Sequence, residues 1–318
     1  MEVNKGDSID FSIVIPVRND SQRLDRCLSS LKLQRGRSEL IVIDNASQDD
    51  SVTVATKCGA TVLVYPDIRV GALRNRGTEV STGRILAFVD SDHEVKEDWL
   101  EKAAEVLDSD SRILATGAFC MPPEDGTWVQ TVWAIHRLRG PDRCEVDWLG
   151  SGNLFVRREA FERIGGFRED LIAAEDVDLC HRLRQLGGII VCDKRIRNIH
   201  HGEPATLLAF IRKEYWRGSS GVKAWISQGF PLRDLPSLLW PLWHLVGGFV
   251  LAAIVIVAIV YMDTTWRTIA AIAMLAWLLP AILLSVRTCI VERRIASIPA
   301  LAVLYFAYGL ARAAALFR

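Results

Sequence analysis

Residues 84–93, RILAFVDSDH, contain the clearest structural signal in this chain. Five apolar residues, 85–89, are followed by Asp90 and Asp92. An unbroken apolar run of this length is typical of a strand that is buried on both faces of a sheet. Open α/β sheets bind ligands at the carboxyl ends of such strands. Because neighbouring carboxylates repel, the pair indicates either a divalent cation with a phosphate-bearing ligand or a simple turn, in which Asp and Ser are common.

Apolar runs that resemble strands recur along the first two hundred residues. Strands are predicted at 11–17, 39–43 and 61–65, and capped helical patterns follow the first two of them. Strands that alternate with helices indicate βαβ units. The sequence therefore predicts a doubly wound α/β domain with a parallel sheet.

Two further features are consistent with a nucleotide site at the strand ends. Asp44 ends an earlier strand, where its carboxylate could accept hydrogen bonds from a base or ribose, or form a turn. Gly71 would let the backbone approach a ligand closely, and Arg74 would then bind a diphosphate. A solvated helix face is the alternative for this segment, and we favour it for Arg76. Neither a dinucleotide fingerprint nor a P-loop motif occurs in the sequence.

An acidic segment and a histidine pair come later in the chain. Glu175, Asp176 and Asp178 begin a predicted helix, where negative charge complements the helix dipole. The alternative is a general base, for which one carboxylate must face the reaction site. His200 and His201 follow a short strand-like run. A single histidine is more often structural, but one downstream of acids can complete the coordination of a cation.

The composition excludes several classes of protein. The 318 residues include 38 basic and 38 acidic ones, so no nucleic-acid partner is indicated. Six arginines, no lysine and two acids follow residue 236, so a mildly acidic body precedes a basic, apolar tail. The seven cysteines are odd in number and lack C-x-x-C spacing, which favours reduced thiols in a cytosolic domain. The polar first ten residues indicate no cleavable signal peptide.

The apolar tail is predicted to cross a membrane. Residues 238–262 and 268–286 contain no Asp, Glu, Lys or Arg, and each segment is long enough to span a bilayer. The arginines after the second segment, at 287, 293 and 294, indicate a cytoplasmic link by the positive-inside rule, and two spans then leave the preceding domain in the cytoplasm. Residues 296–316 form either a third span, which we favour, or a helix in the interface.

Residues 203–236 are predicted to connect the two parts as an amphipathic interfacial segment. Apolar and basic residues alternate at helical spacing over its first half, and Trp225 and Phe230 suit an interfacial aromatic belt. Such a helix would rest on anionic headgroups or, alternatively, pack on the sheet. The predicted division is thus a domain at 1–202, the connection at 203–236 and a membrane region at 237–318.

Six segments resemble motifs of the family 2 inverting glycosyltransferases, in the order that the family has them. They are FSIVIPVRND (11–20), LIVIDNASQDDS (40–51), GALRNRG (71–77), AFVDSDHEV (87–95), GSGNLFVRREAFERIGGFRED (150–170) and EDVDLCHRLR (175–184). The resemblance implies a GT-A fold, which is a doubly wound, Rossmann-like domain that binds a nucleotide sugar. It also implies a divalent cation, Mn²⁺ or Mg²⁺.

The resemblance implies a role for each matching position. Asp176 would be the catalytic base, and Asp92 and His200 would be metal ligands, with His201 as the alternative to His200. The nucleotide sugar would be bound by residues from several strand ends and from one helix, namely Pro16, Arg18, Asn19, Asp44, Asn45, Gly71, Arg74, Asn75, Asp90 and Ser91.

The acceptor side would include Gly152, Asn153 and Glu175. Residues 121–148, which are rich in proline and tryptophan, are predicted to be an irregular insertion on that side.

The predicted activity is the metal-dependent transfer of a single sugar, with inversion, from a nucleotide-sugar donor to an acceptor hydroxyl. The acceptor would be lipid-linked or a glycan. The enzyme would be a multi-pass protein of the inner membrane whose catalytic domain lies in the cytoplasm, with the lipid bilayer as a partner. Two alternatives remain: a nucleotide-sugar-binding scaffold without activity, and a processive polysaccharide synthase. The Q-x-x-R-W motif of such synthases is absent from the sequence.

Overall fold

The computed structural model describes residues 10–218, 235–261 and 263–317. Two compact units are found. The N-terminal unit contains residues up to Pro123 together with Gly140–Gly202, and the C-terminal unit contains Glu124–Arg139 together with the residues from Glu203 onward. The predicted boundary after residue 202 coincides with one division between these units. Residues 124–139 belong to the C-terminal unit, although they lie within the predicted first domain.

The N-terminal unit has ten strands and six helices among the described residues. The strands are β1 (Phe11–Val17), β2 (Ser38–Asp44), β3 (Thr61–Val64), β4 (Ile85–Val89), β5 (His93–Val95), β6 (Ile113–Gly117), β7 (Arg143–Val146), β8 (Asn153–Arg157), β9 (Ile189–Asp193) and β10 (Asn198–His200). The helices are α1 (Ser21–Lys32), α2 (Ser51–Lys57), α3 (Val70–Glu79), α4 (Trp99–Ser109), α6 (Arg158–Arg163) and α7 (Glu175–Gln185).

The main sheet is mixed, with the order β3-β2-β1-β4-β8-β6-β9-β7. Its first four strands are parallel, whereas β8 is antiparallel to both β4 and β6, and β7 is antiparallel to β9. The prediction of a wholly parallel sheet was therefore wrong for β7 and β8. Asn153 pairs with Val89, so β8 begins beside the carboxyl end of β4. This reversal brings the turn at residues 150–152 next to the β4 acids.

Strand β4 is buried on both faces, which confirms the prediction for residues 85–89. Ile85, Ala87 and Val89 belong to the apolar cluster that includes α1 and α4, whereas Leu86 and Phe88 belong to the one that includes α3 and α7. Successive side chains of a strand point to opposite faces, so one apolar run supplies both layers of the core. The polar residues that follow it lie at the edge of the sheet.

The C-terminal unit is all helical among the described residues. Its helices are α5 (Trp128–Arg137), α8 (Leu207–Gly218), α9 (Leu235–Tyr261), α10 (Thr264–Val291) and α11 (Ile298–Ala314). The irregular structure predicted for 121–148 was wrong, because α5 and β7 both form there. Thr127 and Gln130 form a capping box at the start of α5. Val129, Val132 and Trp133 are buried with residues of α11, so the apolar face of α5 faces the C-terminal helices.

Three helices of this unit are long and apolar enough to cross a membrane, at Leu239–Tyr261, Thr264–Val291 and Ile295–Phe317. Many of their large apolar side chains are exposed, such as Phe249 and Val260. A contiguous exposed apolar surface of this kind indicates contact with lipid. The three segments coincide with the predicted spans, and the third is helical as well.

Of the predicted connection at 203–236, residues 203–218 and 235–236 lie within the described residues. Helix α8 covers residues 207–218, and Phe210 on its inner face is buried against the apolar cluster of α5, α10 and α11. The helix therefore packs on other helices of its own unit, which neither alternative for the connection anticipated. Residues 219–234, with Trp225 and Phe230, lie outside the described residues.

Candidate active site

Arg74 lies among the acids that the sequence analysis identified. It is on α3 and is 2% exposed. One guanidinium nitrogen lies 2.7 Å from an Asp90 oxygen at the end of β4, and the other lies 2.9 Å from a Glu175 oxygen at the start of α7. Ser91 donates a hydrogen bond of 3.1 Å to Asp20 at the same edge of the sheet. A single buried cation therefore joins the strand end to the acidic helix start.

The guanidinium of Arg74 is bonded to these two carboxylates. Burial disfavours its charge, but Asp90 and Glu175 more than compensate, and the pKa of Arg74 rises above its usual value. The permanent charge allows the two carboxylates to lie near each other with less repulsion. The solvated side chain, one of the two alternatives for Arg74, is wrong, because α3 lies on the sheet with this side turned inward, where Leu73 is also buried. The contact of Arg74 with a diphosphate stays a prediction.

Asp176 lies in the first turn of α7. The preceding Ala174 has φ 64°, a left-handed conformation that residues with a Cβ rarely adopt and that is frequent at functional sites. The turn at 150–152 passes close to the acids. A Cβ on Gly150 would lie 3.7 Å from Asp176 Oδ2, and one on Gly152 would lie 3.0 Å from Asp90 Oδ2. Asp176 and Asp90 thus both lie beside this turn.

The environment of Asp176 changes its acidity. Burial and the negative charge of Glu175 raise the pKa of Asp176 to about 6. The backbone N–H groups of Val177 and Ser151 and the charge of Arg74 act in the opposite direction. At neutral pH the group is ionised and is still basic enough to accept a proton, which is what a general base requires.

Asp92, His93 and His200 form a second group at this edge of the sheet. One ligand atom from each of them lies within 4.8 Å of the other two. The arrangement results from a two-stranded antiparallel sheet of β5 and β10, in which His93 and His200 are directly paired. His200 Nε2 lies 3.1 Å from Asp92 Oδ2, and His93 Nε2 lies 3.6 Å from Asp92 Oδ1.

The chemistry of this group fits a divalent cation. Burial opposes the ionisation of Asp92, but His200, His93 and Arg23 hold its pKa well below the usual range. Burial and His200 lower the pKa of His93 to about 4, so the ring is neutral. His93 Nδ1 lies against the carbonyl oxygen of Gly152 and 2.8 Å from the Asn198 amide nitrogen, so the ring nitrogen that is left for a ligand is Nε2. That buried Nε2 has no hydrogen-bond partner among the described residues, which suits a metal ligand.

His200, and not His201, belongs to this group. His201 Nε2 lies 2.9 Å from Glu94, and its Nδ1 lies 3.0 Å from Arg26. Both ring nitrogens of His201 are therefore used in contacts away from Asp92. The sequence left the choice between the two histidines open, because adjacent strand residues point to opposite sides and the pairing partner decides which one faces the site.

Asp44 and Asn45 lie at the end of β2, beside the end of β1. One Asp44 oxygen accepts a hydrogen bond of 2.7 Å from the backbone N–H of Ser47, and the amide nitrogen of Asn45 donates to the carbonyl of Ile68 at 3.0 Å. Oδ1 of each residue is buried and has no hydrogen-bond donor among the described residues. Because buried acceptors are normally paired, this edge of the sheet fits a ligand that brings its own N–H or O–H groups.

The end of β1 lies between the two acidic strand ends. Pro16 is buried, whereas Arg18 is exposed and lies 3.8 Å from Asp67. Asn19 has φ 51° and forms two hydrogen bonds with the loop at residues 47–48, at 2.8 and 2.7 Å. This loop closes the site beside Asp44.

Gly71 and Asn75 both contact the segment before α7. A Cβ on Gly71 would lie 3.2 Å from the carbonyl oxygen of Arg168, so the glycine makes room for protein backbone and not for a ligand. The amide of Asn75 forms two hydrogen bonds of 2.9 Å with the backbone of Phe167. Their predicted contacts with the nucleotide sugar are therefore replaced by contacts that hold the loop before α7 against α3.

Asn153 is also turned into the protein. It is fully buried, accepts a hydrogen bond of 2.7 Å from Trp99 and donates to the carbonyls of Ala118 and Ile196 at 3.1 and 2.9 Å. Its predicted position on the acceptor side is corrected by these contacts, which fix the start of β8. Gly152, one residue earlier, does lie beside Asp90.

His93 is the principal residue that the sequence analysis missed. The available signal was a histidine directly after the acid pair in the stretch 84–93. Its significance depends on the pairing of β5 with β10, which joins segments about a hundred residues apart and which no local pattern predicts.

Comparisons with known proteins agree with this fold. Residues 12–165 match glycosyl transferase family 2. Glycosyltransferase AglE of Haloferax volcanii is 27% identical over 247 residues, which cover 74% of this chain and 80% of that protein. Pre-mycofactocin glycosyltransferase of Mycobacterium tuberculosis is 29% identical over 224 residues, which cover 66% of this chain and 47% of that protein. The aligned part thus spans about half the length of the second relative.

The fold has a counterpart among solved structures. Mannosyltransferase PcManGT from Pyrobaculum calidifontis, in complex with GDP-Man and Mn²⁺, gives a TM-score of 0.60 at 17% identity, and the alignment covers 97% of this chain and 87% of that one. At this identity the likeness shows the fold, a GT-A-like α/β domain followed by apolar helices. The match over residues 12–165 shows a family 2 glycosyl transferase domain in this part of the chain, and the curated relatives support a transferase enzyme.

Proposed function

We propose that this protein transfers one sugar from a nucleotide-sugar donor to an acceptor hydroxyl, with inversion and with the help of a divalent cation. The observation that carries the proposal is the position and acidity of Asp176. A carboxyl group with a pKa of about 6 lies beside the turn at 150–152, which also passes next to Asp90 at the end of β4. A base of this strength beside a cation site is the arrangement that hydroxyl activation needs.

The donor site would be built at the strand ends. The unpaired acceptor atoms of Asp44 and Asn45 would take hydrogen bonds from the base or ribose of the nucleotide. Asp92, His93 and His200 would hold Mn²⁺ or Mg²⁺, which neutralises the charge that develops on the departing diphosphate. The structural relative from Pyrobaculum calidifontis was solved with GDP-Man and Mn²⁺, which supports this assignment of the two subsites.

The reaction would be a single displacement. The acceptor oxygen forms a bond to the anomeric carbon of the donor sugar from the face opposite the diphosphate. The bond from that carbon to the diphosphate oxygen breaks, and the nucleoside diphosphate leaves with the electron pair. Asp176 takes the hydroxyl proton. Because one bond replaces another from the opposite face, the anomeric configuration is inverted.

The C-terminal unit would anchor the enzyme in the inner membrane. Three apolar helices are available as spans, and the cytoplasmic side is inferred from Arg287 near the end of the second helix and from Arg293 and Arg294 in the link to the third. The catalytic unit would then lie in the cytoplasm. A lipid-linked acceptor follows from this geometry, because an anchored active site reaches substrates at the bilayer surface most readily.

The test is transfer of labelled sugar by purified full-length protein and by the variant Asp176→Asn. A panel of UDP- and GDP-sugars with Mn²⁺ is the donor set, and lipid extracts are the acceptors. Asp176→Asn is expected to lose roughly 10²- to 10⁴-fold in rate, the usual contribution of a general base. Asp178→Asn is the matched control, since Asp178 lies two residues further on and pairs with Arg182 at 2.7 Å.

The following outcomes separate the alternatives. Nucleoside diphosphate binding, measured by thermal shift with Mn²⁺, should survive in Asp176→Asn. Full sugar-transfer activity of that variant would show that Asp176 is not the base. EDTA should abolish transfer, and Mn²⁺ or Mg²⁺ should restore it. Donor binding without any turnover would favour the scaffold, and a ladder of products would favour the processive synthase.

A further inference from the structure

One large aromatic side chain near the proposed catalytic base is exposed to solvent although it contacts the sheet on one side. Trp148 is 41% exposed and lies two residues before Gly150, where an added Cβ would lie 3.7 Å from Asp176 Oδ2. A tryptophan is usually well buried, so an indole that faces solvent next to an active site calls for an explanation.

The position of Trp148 is built by its neighbours. Leu149 is fully buried, and its carbonyl oxygen lies 3.8 Å from Cys180 Sγ on α7. Asp147 pairs with Arg184 of the same helix at 2.8 Å. The residues on both sides of Trp148 are therefore tied to α7, the helix that carries Asp176.

The indole is also supported on one side. Its ring centroid lies 5.9 Å from that of Phe119, and the two ring planes meet at 83°. Such perpendicular contacts restrain an aromatic ring without covering both of its faces. Phe119 follows β6, so the support comes from the sheet. The result is a flat apolar surface that is held in place and partly exposed to solvent.

The distance from the base limits what this surface can touch. Two residues of extended chain span about 7 Å at most, so Trp148 lies within roughly one sugar ring of the turn beside Asp176. The hydroxyl that Asp176 deprotonates must lie within hydrogen-bond reach of it. A chemical group about the size of one sugar ring that carries this hydroxyl could therefore reach the indole.

We propose that Trp148 forms the floor of the acceptor subsite and that the acceptor hydroxyl is carried by a pyranose ring. A pyranose has a polar rim and an apolar face of C–H groups, and that face complements the electron-rich face of an indole. The polar rim would meet Asp147 and Arg184. The inference rests on the proposed function, because it assigns the acceptor class of the same reaction. It is compatible with a sugar that is attached to a lipid.

The experiment measures acceptor binding separately from donor binding. Full-length protein in lipid nanodiscs, loaded with GDP or UDP and Mn²⁺, is titrated with methyl and octyl glycosides of glucose, mannose, galactose and N-acetylglucosamine. Saturation-transfer NMR then reports which ring protons contact the protein. We compare the wild type with Trp148→Ala, Trp148→Phe and Trp148→Leu. Trp128→Ala is the control, since Trp128 is 48% exposed and lies in the C-terminal unit.

At least one pyranoside is expected to bind the wild type through the C–H groups of one ring face. Affinity should fall roughly tenfold in Trp148→Ala and Trp148→Leu and be partly kept in Trp148→Phe, because the aromatic face contributes beyond apolar area. Nucleoside diphosphate affinity should be unchanged in all of them, and pyranoside affinity should be unchanged in Trp128→Ala.

Several results would overturn the inference. These are the absence of pyranoside binding to the wild type, equal affinities in Trp148→Ala and the wild type, or equal losses in Trp148→Phe and Trp148→Leu. Weaker binding of Trp148→Ala to anionic vesicles, with unchanged pyranoside affinity, would assign the indole to the bilayer instead. A failure of nucleoside diphosphate binding in the wild type would contradict the proposed function itself.

Discussion

At the level of single residues, the acidity of Asp176 gives the most direct prediction. Only the ionised carboxylate can accept a proton, and burial with Glu175 raises its pKa to about 6. The value of kcat/KM, which reports the free enzyme, should therefore rise about tenfold per pH unit below 6 and level off above it. The measurement is a pH–rate profile from 4.5 to 8.5. A flat profile through pH 6 would contradict the assignment.

The same shift affects stability. The folded protein binds the Asp176 proton more tightly than the unfolded chain does, so this group opposes folding increasingly as the pH rises from 3.8 to about 6, and the effect is constant above that. Asp176→Asn removes that charge. The variant should therefore unfold at a higher temperature than the wild type at pH 7, and the difference should shrink towards pH 5. Activity and stability make opposite demands on this position.

Arg74 gives the second prediction at this level. Arg74→Ala leaves Asp90 and Glu175 without the buried cation that both contact, and breaking a buried pair costs about 3–5 kcal/mol. Arg76→Ala on the same helix is the matched control, because Arg76 forms only exposed pairs with Glu79 and Glu169, worth about 0–1 kcal/mol. Chemical denaturation checks both variants. Equal losses would show that the Arg74 contacts have no special weight.

At the level of elements, α5 is the instructive case. The sequence analysis expected irregular structure there, because prolines at 122, 123 and 141 flank a short segment and obscure its helical spacing. The capping box and the burial of its apolar face against α11 explain why a helix forms. Propensity alone is a weak guide for a ten-residue helix, since most of its stability comes from packing.

The packing of α5 can be tested through Trp133. This residue is 7% exposed, and its ring lies 4.8 Å from that of Phe210 on α8 and 5.9 Å from that of Tyr305 on α11. Trp133→Ala should cost about 3–5 kcal/mol and speed hydrogen exchange in α5 and α11 together. Trp128→Ala on the same helix should change stability by less than about 0.5 kcal/mol. Faster exchange in the β1–β4 sheet instead would contradict the grouping of α5 with the C-terminal helices.

At the level of the whole molecule, the predicted topology can be checked by protease sites placed in the two links between apolar helices. A site inserted at residue 263 should be cut only from outside the cell, and one inserted at 292 only from the side of the catalytic unit. The reason is that charged links cross a bilayer poorly and that arginines favour the cytoplasm. Cleavage in inside-out and right-side-out vesicles distinguishes the sides. Two sites cut from the same face would show that α10 does not span.

Apolar periodicity alone was sufficient to identify the buried strand β4, the α/β class and the apolar tail. Each of these follows from local patterns, in which the spacing of apolar residues reports which faces are buried. The same patterns placed acids at the ends of β2 and β4, because a buried run that stops at charged residues must end near the surface.

Contacts between distant segments came only from the folded chain. The pairing of β5 with β10 selects His200 over His201 and adds His93, the reversed direction of β8 brings the turn at 150–152 beside Asp90, and the inward face of α3 turns Arg74 towards Glu175. Strand direction, register and side-chain pairing depend on contacts between residues far apart in sequence. A local pattern contains no information about which distant segment will be its partner.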